Sequence, residues 1–167
     1  MILVKEVLGR RSGFGAGLRE DKLPIAWFEA SRRILHKRTE RGEEVACRFL
    51  KERSQLQQDD VLAADDRRLI LVDIVPCTAL VIRPATPYET ALACYEIGNK
   101  HLPLFFEGGE LLVPWEAPLE RMLQGLEIAV TKEQRRLLHP LRTTVSPHAH
   151  SPGLLTRILQ RTGGNHE

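Results

Sequence analysis

The segment Thr86-Pro87-Tyr88-Glu89 limits what this chain can fold into more tightly than any other. A threonine placed to cap, a proline at the first helical position and a glutamate at the third are separate helix-start signals, and here they coincide. A helix is therefore expected from Pro87. Tyr88, Leu92 and Tyr95 follow the i, i+4, i+7 rule with Ala91 between them, so this apolar stripe is expected to pack on something. Gly98 and Asn99 are read as the helix stop, with His101 just beyond it. Before the helix, residues 77–83 form a strand rich in Val, Ile and Leu that Pro84 ends. After it, residues 102–106 and 110–115 read as two strands joined by the tight turn Glu107-Gly108-Gly109. Pro118 opens a second helix with Leu119, Met122, Leu123 and Leu126 on one face, and residues 128–130 begin a last strand running towards Leu138. The order β-α-β-β-α-β is that of a ferredoxin-like domain, four antiparallel strands with two helices on one face.

The residues before this domain have a different character. No segment before residue 84 shows a 3.6-residue apolar period. Residues 2–8 are a strand candidate, residues 10–17 a glycine-rich loop, and residues 23–28 carry Pro24 and the aromatic pair Trp27 and Phe28. Residues 33–38 and 45–50 are expected to form a hairpin in which Gly42 supplies the turn. Residues 61–64 and 69–75 add two strands across the polar turn 65–68, and Leu69-Ile70-Leu71-Val72 is apolar on both sides, as a buried strand should be. The expected class is α+β. A β-rich domain over 1–76 is followed by the ferredoxin-like domain over 77–145. From Pro140 onward prolines and glycines punctuate a polar stretch, so 146–167 is expected to be a flexible tail.

Composition excludes several functions. The 24 basic residues against 22 acidic ones leave +2, too balanced a charge to suggest nucleic acid. No apolar run reaches the roughly 18 residues of a membrane span, and the N-terminus lacks the uncharged core of a signal peptide. Cys47, Cys77 and Cys94 lie far apart with no Cys-x-x-Cys, which fits a reducing cytosol better than a disulfide or cysteine-zinc framework. The loop Gly13-Phe14-Gly15-Ala16-Gly17 has the wrong spacing for a phosphate-binding fingerprint, and no Gly-Lys-Ser/Thr follows it. Arg32, Arg33, Lys37, Arg38 and Arg41 alternate with glutamates, as on a solvated strand face. Asp59, Asp60, Asp65 and Asp66 fall in turns and lack the glycine and glutamate positions of a calcium loop. No nucleophile or acid–base set is present, so an enzyme is not expected.

The histidines remain, five of the six at or after residue 101. His148-Ala149-His150 can turn two imidazoles onto one ion, and imidazole suits Ni(II), Cu(II) and Zn(II). One His-x-His is a weak signal, and by spacing alone a solvated tail is the simpler account. His101 follows a helix C-terminus, where an imidazolium caps the helix dipole, and that alone would explain it. Two copies of His101 on a two-fold axis would make a better metal site than one. Cys94, within the helix, is read as packing with a minor ligand role left open. Bound imidazole must be neutral, so metal affinity should fall as pH drops through about 6.5.

Cys94-Tyr95-Glu96-Ile97-Gly98-Asn99-Lys100-His101, followed by Leu102-Pro103-Leu104, resembles the Tyr-x-x-Gly-Asn-Arg/Lys-His signature of UreE-type urease accessory proteins. Asp60-Val61-Leu62-Ala63 and the strand after it resemble the end of that family's N-terminal domain. The resemblance implies a cytoplasmic nickel metallochaperone, a homodimer that binds Ni(II) at its interface and delivers it for urease active-site assembly. By position, His101 is the implied principal ligand, supplied by both subunits, with His148 and His150 from the tail in support. Zn(II) or Cu(II) would compete at the same imidazoles. The implied partners are the urease accessory GTPase and, through it, the apo-urease complex, met by the N-terminal domain. Many members end in a long histidine-rich tract, whereas this chain has only His148, His150 and His166 in its tail. That suggests delivery of few ions per dimer and not storage. The alternative is a protein-interaction adaptor of a maturation complex that binds no metal.

Overall fold

The computed structural model describes residues 1–49 and 55–141. Among the described residues the N-terminal half is built of strands, with two short 3-10 turns between them. Strands β1 (Ile2–Val4), β5 (Glu44–Arg48) and β4 (Ile34–Arg38) form one sheet, in the order β1-β5-β4. Strands β2 (Gly9–Arg10), β6 (Asp60–Ala64), β7 (Arg68–Ile74) and β3 (Arg19–Ile25) form the second, in the order β2-β6-β7-β3. The expected first strand is shorter than residues 2–8, stopping at Val4. The β4–β5 hairpin pairs Arg38 with Glu44, and Gly42 sits at φ +86°, where a side chain would be strained. Pro24 lies inside β3 and is tolerated there because β3 is an edge strand of its sheet. Leu23, Ile25, Leu35, Val45, Cys47, Ile70 and Val72 fill the space between the sheets. The alternation of β7 is lost because both its faces are covered: Ile70 and Val72 face this core, while Leu69 and Leu71 pack with Val61, Phe14 and Leu18. The glycine-rich loop thus contributes Phe14 as an apolar plug.

The second half runs β8 (Cys77–Ile82), α1 (Pro87–Asn99), β9 (Phe105–Glu107), β10 (Glu110–Pro114), α2 (Ala117–Gly125) and β11 (Val130–Arg135). Its sheet has the order β11-β8-β10-β9 with every pair antiparallel. In the domain's own order this is 4-1-3-2, the split βαβ arrangement expected from sequence. Gly108 at φ +57° and Gly109 at φ +87° make the two-residue turn between β9 and β10, which demands positive φ at both positions. Leu80, Ile82, Leu111 and Val113 face the helices and pack on Ala93, Ile97, Leu119 and Leu123.

Of the expected helix stripe Leu92 packs on the domain core, whereas the two tyrosines do not. Ala93 and Ile97 are the buried positions of α1, while Tyr88 and Tyr95 are 75% and 66% exposed. A small alanine lets the helix lie close to the sheet, and the bulky tyrosines are left on the outer side. The N-terminal cap is also rearranged: Thr86 Oγ1 accepts from Glu89 N at 3.1 Å, but the Glu89 carboxylate accepts from Ala85 N at 2.7 Å. On α2, Leu119 and Leu123 are buried while Leu126 is 37% exposed.

The sheet face away from the helices is divided. Ala79, Val81, Phe105, Leu112 and Leu137 form an apolar patch that Trp27 of the N-terminal half covers. Its ring meets Phe105 edge-on with centroids 5.6 Å apart. The rest of that face carries ion pairs. Arg83 bonds Glu110 at 2.6 Å and Glu133 at 2.8 Å, and Arg135 bonds Glu110 at 2.8 Å and Glu107 at 3.1 Å. Hydrogen bonds from Thr131 and Arg83 pull Glu133 down to a pKa of about 2, and Arg135 and Arg83 lower Glu110 as well. A carboxyl depressed in the fold contributes stability above its unfolded pKa, and the contribution is lost as pH falls through the folded value. The sheet edge is therefore expected to loosen as pH drops from about 4.5 towards 2. The urea midpoint followed against pH should show this slope, and Glu133→Gln should flatten it.

Candidate functional site

His101 stands where α1 ends. Lys100 is the last residue near helical geometry, and His101 then takes φ +54°. Its backbone N–H donates to Gly98 O at 2.9 Å, and Leu102 N–H donates to Ile97 O at 3.4 Å. These two bonds make a Schellman ending, in which the left-handed position after the cap usually belongs to glycine. Here that position is His101, while Gly98 and Asn99, read from sequence as the stop, are the last helical residues. A histidine held at positive φ costs about 1–2 kcal/mol relative to an unstrained backbone. Strain of this size at an exposed side chain is a reason to look for function there. The residue is exposed at the negative end of the helix dipole, a favourable place for a cation.

Cys94, the nearby thiol, is half-buried on α1 and packs against the domain core. Burial pushes the Cys94 thiol up from its ordinary pKa. Glu96 is half-buried on the same helix. His139 is exposed, and its carbonyl accepts from Phe106 N at 3.0 Å. Among the described residues no three His, Cys, Asp or Glu side chains are grouped to hold a metal ion. His148, His150 and the expected tail over 146–167 lie outside the described residues. The expected hairpin strand 45–50 is described only as far as Phe49.

One feature near the site has no local sequence signal. After β11 the chain continues as Arg136-Leu137-Leu138-His139-Pro140-Leu141 and joins the edge of β9. Phe105 bridges Pro140 in antiparallel fashion, and Leu141 N–H donates to Leu104 O at 2.8 Å. Over residues 139–141 the chain therefore runs antiparallel to residues 104–106. Nor do any described helices reach the length and apolarity needed to cross a membrane.

The basic residues singled out from sequence are largely occupied. Lys37 pairs with Glu29 at 2.7 Å, Arg32 with Glu29 at 3.9 Å, and Arg38 with Glu44. Asp65 closes the β6–β7 turn by accepting from Arg67 N and Arg68 N, both at 2.9 Å. Both patterns are structural.

A β-rich half joined to a ferredoxin-like half, with a strained histidine on an exposed helix end, defines a small α+β protein. Sequence comparison makes this specific. Residues 4–75 match the N-terminal domain of the UreE urease accessory proteins and residues 78–153 match their C-terminal domain, so the chain belongs to that family. The urease accessory protein UreE of Flavobacterium johnsoniae is 42% identical over 151 residues, covering 90% of this chain and 92% of the relative. That of Actinobacillus pleuropneumoniae is 38% identical over 145 residues, 84% of this chain and 78% of its own. That of Acetivibrio thermocellus is 34% identical over 134 residues, 80% and 87% respectively. Membership places the chain in urease maturation as an accessory protein.

Proposed function

We propose that this chain is a cytoplasmic nickel metallochaperone. Two copies would bring their His101 side chains to a shared Ni(II) site, and His148 and His150 would join from the tails. The observation that carries this reading is His101 itself, a histidine in a position suited to glycine, exposed at a helix end, within the Gly98–His101 signature. The exposed Tyr88 and Tyr95 on the same helix support a second copy as the missing packing partner of the α1 stripe. Reach supports the tail ligands. His148 lies seven residues beyond Leu141, a chain length of up to about 24 Å, whereas Leu104 and His101 are at most about 11 Å apart along the backbone.

Two imidazoles, joined by donors from the tail, would leave the ion under-coordinated and exchangeable, as a carrier requires, whereas structural sites are closed. Cu(II) would outcompete Ni(II) on affinity at such ligands, so selection in the cell rests on delivery and supply. In this reading the domain over 77–145 dimerises and binds metal. The domain over 1–76 meets the urease accessory GTPase and, through it, apo-urease.

Native mass spectrometry of the full chain with added Ni(II) reports copy number and ion count together. A dimer that takes up Ni(II) is expected. A chain that stays metal-free at neutral pH would favour the adaptor alternative. The double variant His148→Ala/His150→Ala should keep the fold and the dimer but lower either stoichiometry or affinity. If both are unchanged, the tail histidines are not ligands.

A further inference from the structure

We propose that the outward face of the sheet β1-β5-β4 is a docking surface for a protein partner that presents apolar side chains flanked by carboxylates. Taking the urease accessory GTPase as that partner rests on the reading above. The surface itself rests on described residues of the β-rich half.

Side chains of a strand alternate between the two faces of its sheet. Val4, Leu35, Val45 and Cys47 belong to the core between the sheets. Leu3, Ile34, His36, Ala46 and Arg48 therefore face outward. The register sets Ala46 between Leu3 and His36, and Ile34 beside Arg48. A sheet packed on one side normally carries polar residues on the other. Here Leu3 is 51% and Ile34 72% exposed. Ala46, on the central strand, is 8% exposed, and a methyl group between two longer side chains leaves a shallow trough. One exposed leucine is ordinary, but two large apolar side chains beside a trough on one face mark a contact surface.

The charge beside this trough has one sign. Arg38 is answered by Glu44 on the neighbouring strand. Arg48 is exposed, and so is Lys5, one position past the pair of Val4 with Cys47. Neither forms an ion pair among the described residues. A second copy seated here would set one net-positive face against another, and like charges in contact oppose association. Anionic membranes are held by clusters of about four to eight cations, more than this face carries. Nucleic acid is disfavoured by the same shortage and by the balanced overall charge. A protein surface with an apolar centre and a carboxylate rim answers both features. Its apolar side chains fill the trough against Leu3 and Ile34, and its carboxylates pair with Lys5 and Arg48 at the edge.

The test titrates the full chain with the purified urease accessory GTPase. Lys5→Glu/Arg48→Glu should weaken binding by about tenfold or more. Ile34→Thr, which stays β-branched and so suits a strand, should weaken it several-fold. Arg19→Glu/Arg67→Glu makes the same change in net charge at exposed positions away from this face and should leave affinity unchanged. Binding of the unaltered chain should also weaken as NaCl rises from about 50 to about 300 mM. Equal affinity of the unaltered chain, Lys5→Glu/Arg48→Glu and Ile34→Thr would overturn the docking surface and leave the GTPase as partner through another face. If the unaltered chain does not bind the GTPase, that partner reading fails, and titration of the same variants with apo-urease decides the surface. Binding to neither protein would overturn the surface as well. Two further measurements separate the other occupants. Self-association in sedimentation that Ile34→Thr abolishes would assign the face to a second copy. Binding to vesicles of phosphatidylcholine and phosphatidylserine that Ile34→Thr abolishes would assign it to a membrane. Either result would overturn the proposal.

Discussion

Replacing His101 by glycine is expected to make the folded chain more stable while removing the Ni(II) site proposed for it. His101 occupies the left-handed position of a Schellman ending at φ +54°. Relief of that backbone strain is worth about 1–2 kcal/mol. Glycine gives back part of it, about 0.5–1 kcal/mol, through the greater freedom of the unfolded chain. A net gain of about 0.5–1 kcal/mol should appear as a higher urea midpoint in metal-free protein. Calorimetric titration with Ni(II) on the same sample should lose the tight phase. Most substitutions destabilise, so a variant that gains stability and loses ligand separates a binding residue from a packing residue. Undiminished Ni(II) affinity would remove His101 from the site, and lower stability would show that its side chain supports the helix end.

The second large effect lies beneath the site. Ile97 is fully buried against the ferredoxin-like sheet, and its carbonyl accepts from Lys100 N and Leu102 N at the helix end. Ile97→Ala should cost about 3 kcal/mol, the sum of lost apolar transfer and the cavity left behind. Ile97→Val should cost only about 1 kcal/mol. Because the last turn of α1 is seated by Ile97, the larger cavity should also let the His101 turn shift. Ni(II) affinity should therefore fall with Ile97→Ala although this residue touches no ligand. Urea unfolding with an unchanged slope measures the first effect, and titration the second. A cost below about 1 kcal/mol would mean that the helix end is held by something other than Ile97.

The elements most visible in sequence were those whose signals are local. The start of α1 at Thr86-Pro87, the β9–β10 turn at Gly108-Gly109 and the β4–β5 turn at Gly42 all appear where their residues place them. Each is set by the φ preference or the hydrogen-bonding capacity of one or two residues. The burial of α1 is hidden from the sequence for the opposite reason. Periodicity identifies an apolar stripe but does not say which of two neighbouring stripes meets the sheet. Ala93 and Ile97 won because a small and a branched residue let the helix sit close, and Tyr88 and Tyr95 face outward. Glycine is the common left-handed residue and so points to a stop at Gly98 and Asn99, but the histidine three positions after Gly98 carries that conformation instead.

Membership in the UreE family, the fold class and the candidate His101 were all legible in the chain itself, because signature, turn and cap residues act over a few positions. Tertiary structure alone decided the rest. The parallel pairing of β3 with β7 joins residues about fifty positions apart, and no local pattern encodes such a register. The seating of Trp27 on Phe105, the grip of Arg136 on Asp73 and the return of residues 139–141 to β9 depend likewise on surfaces that exist only after both halves have folded. The same holds for the strain at His101, since a backbone angle is set by what the helix end packs against and not by the residue that bears it.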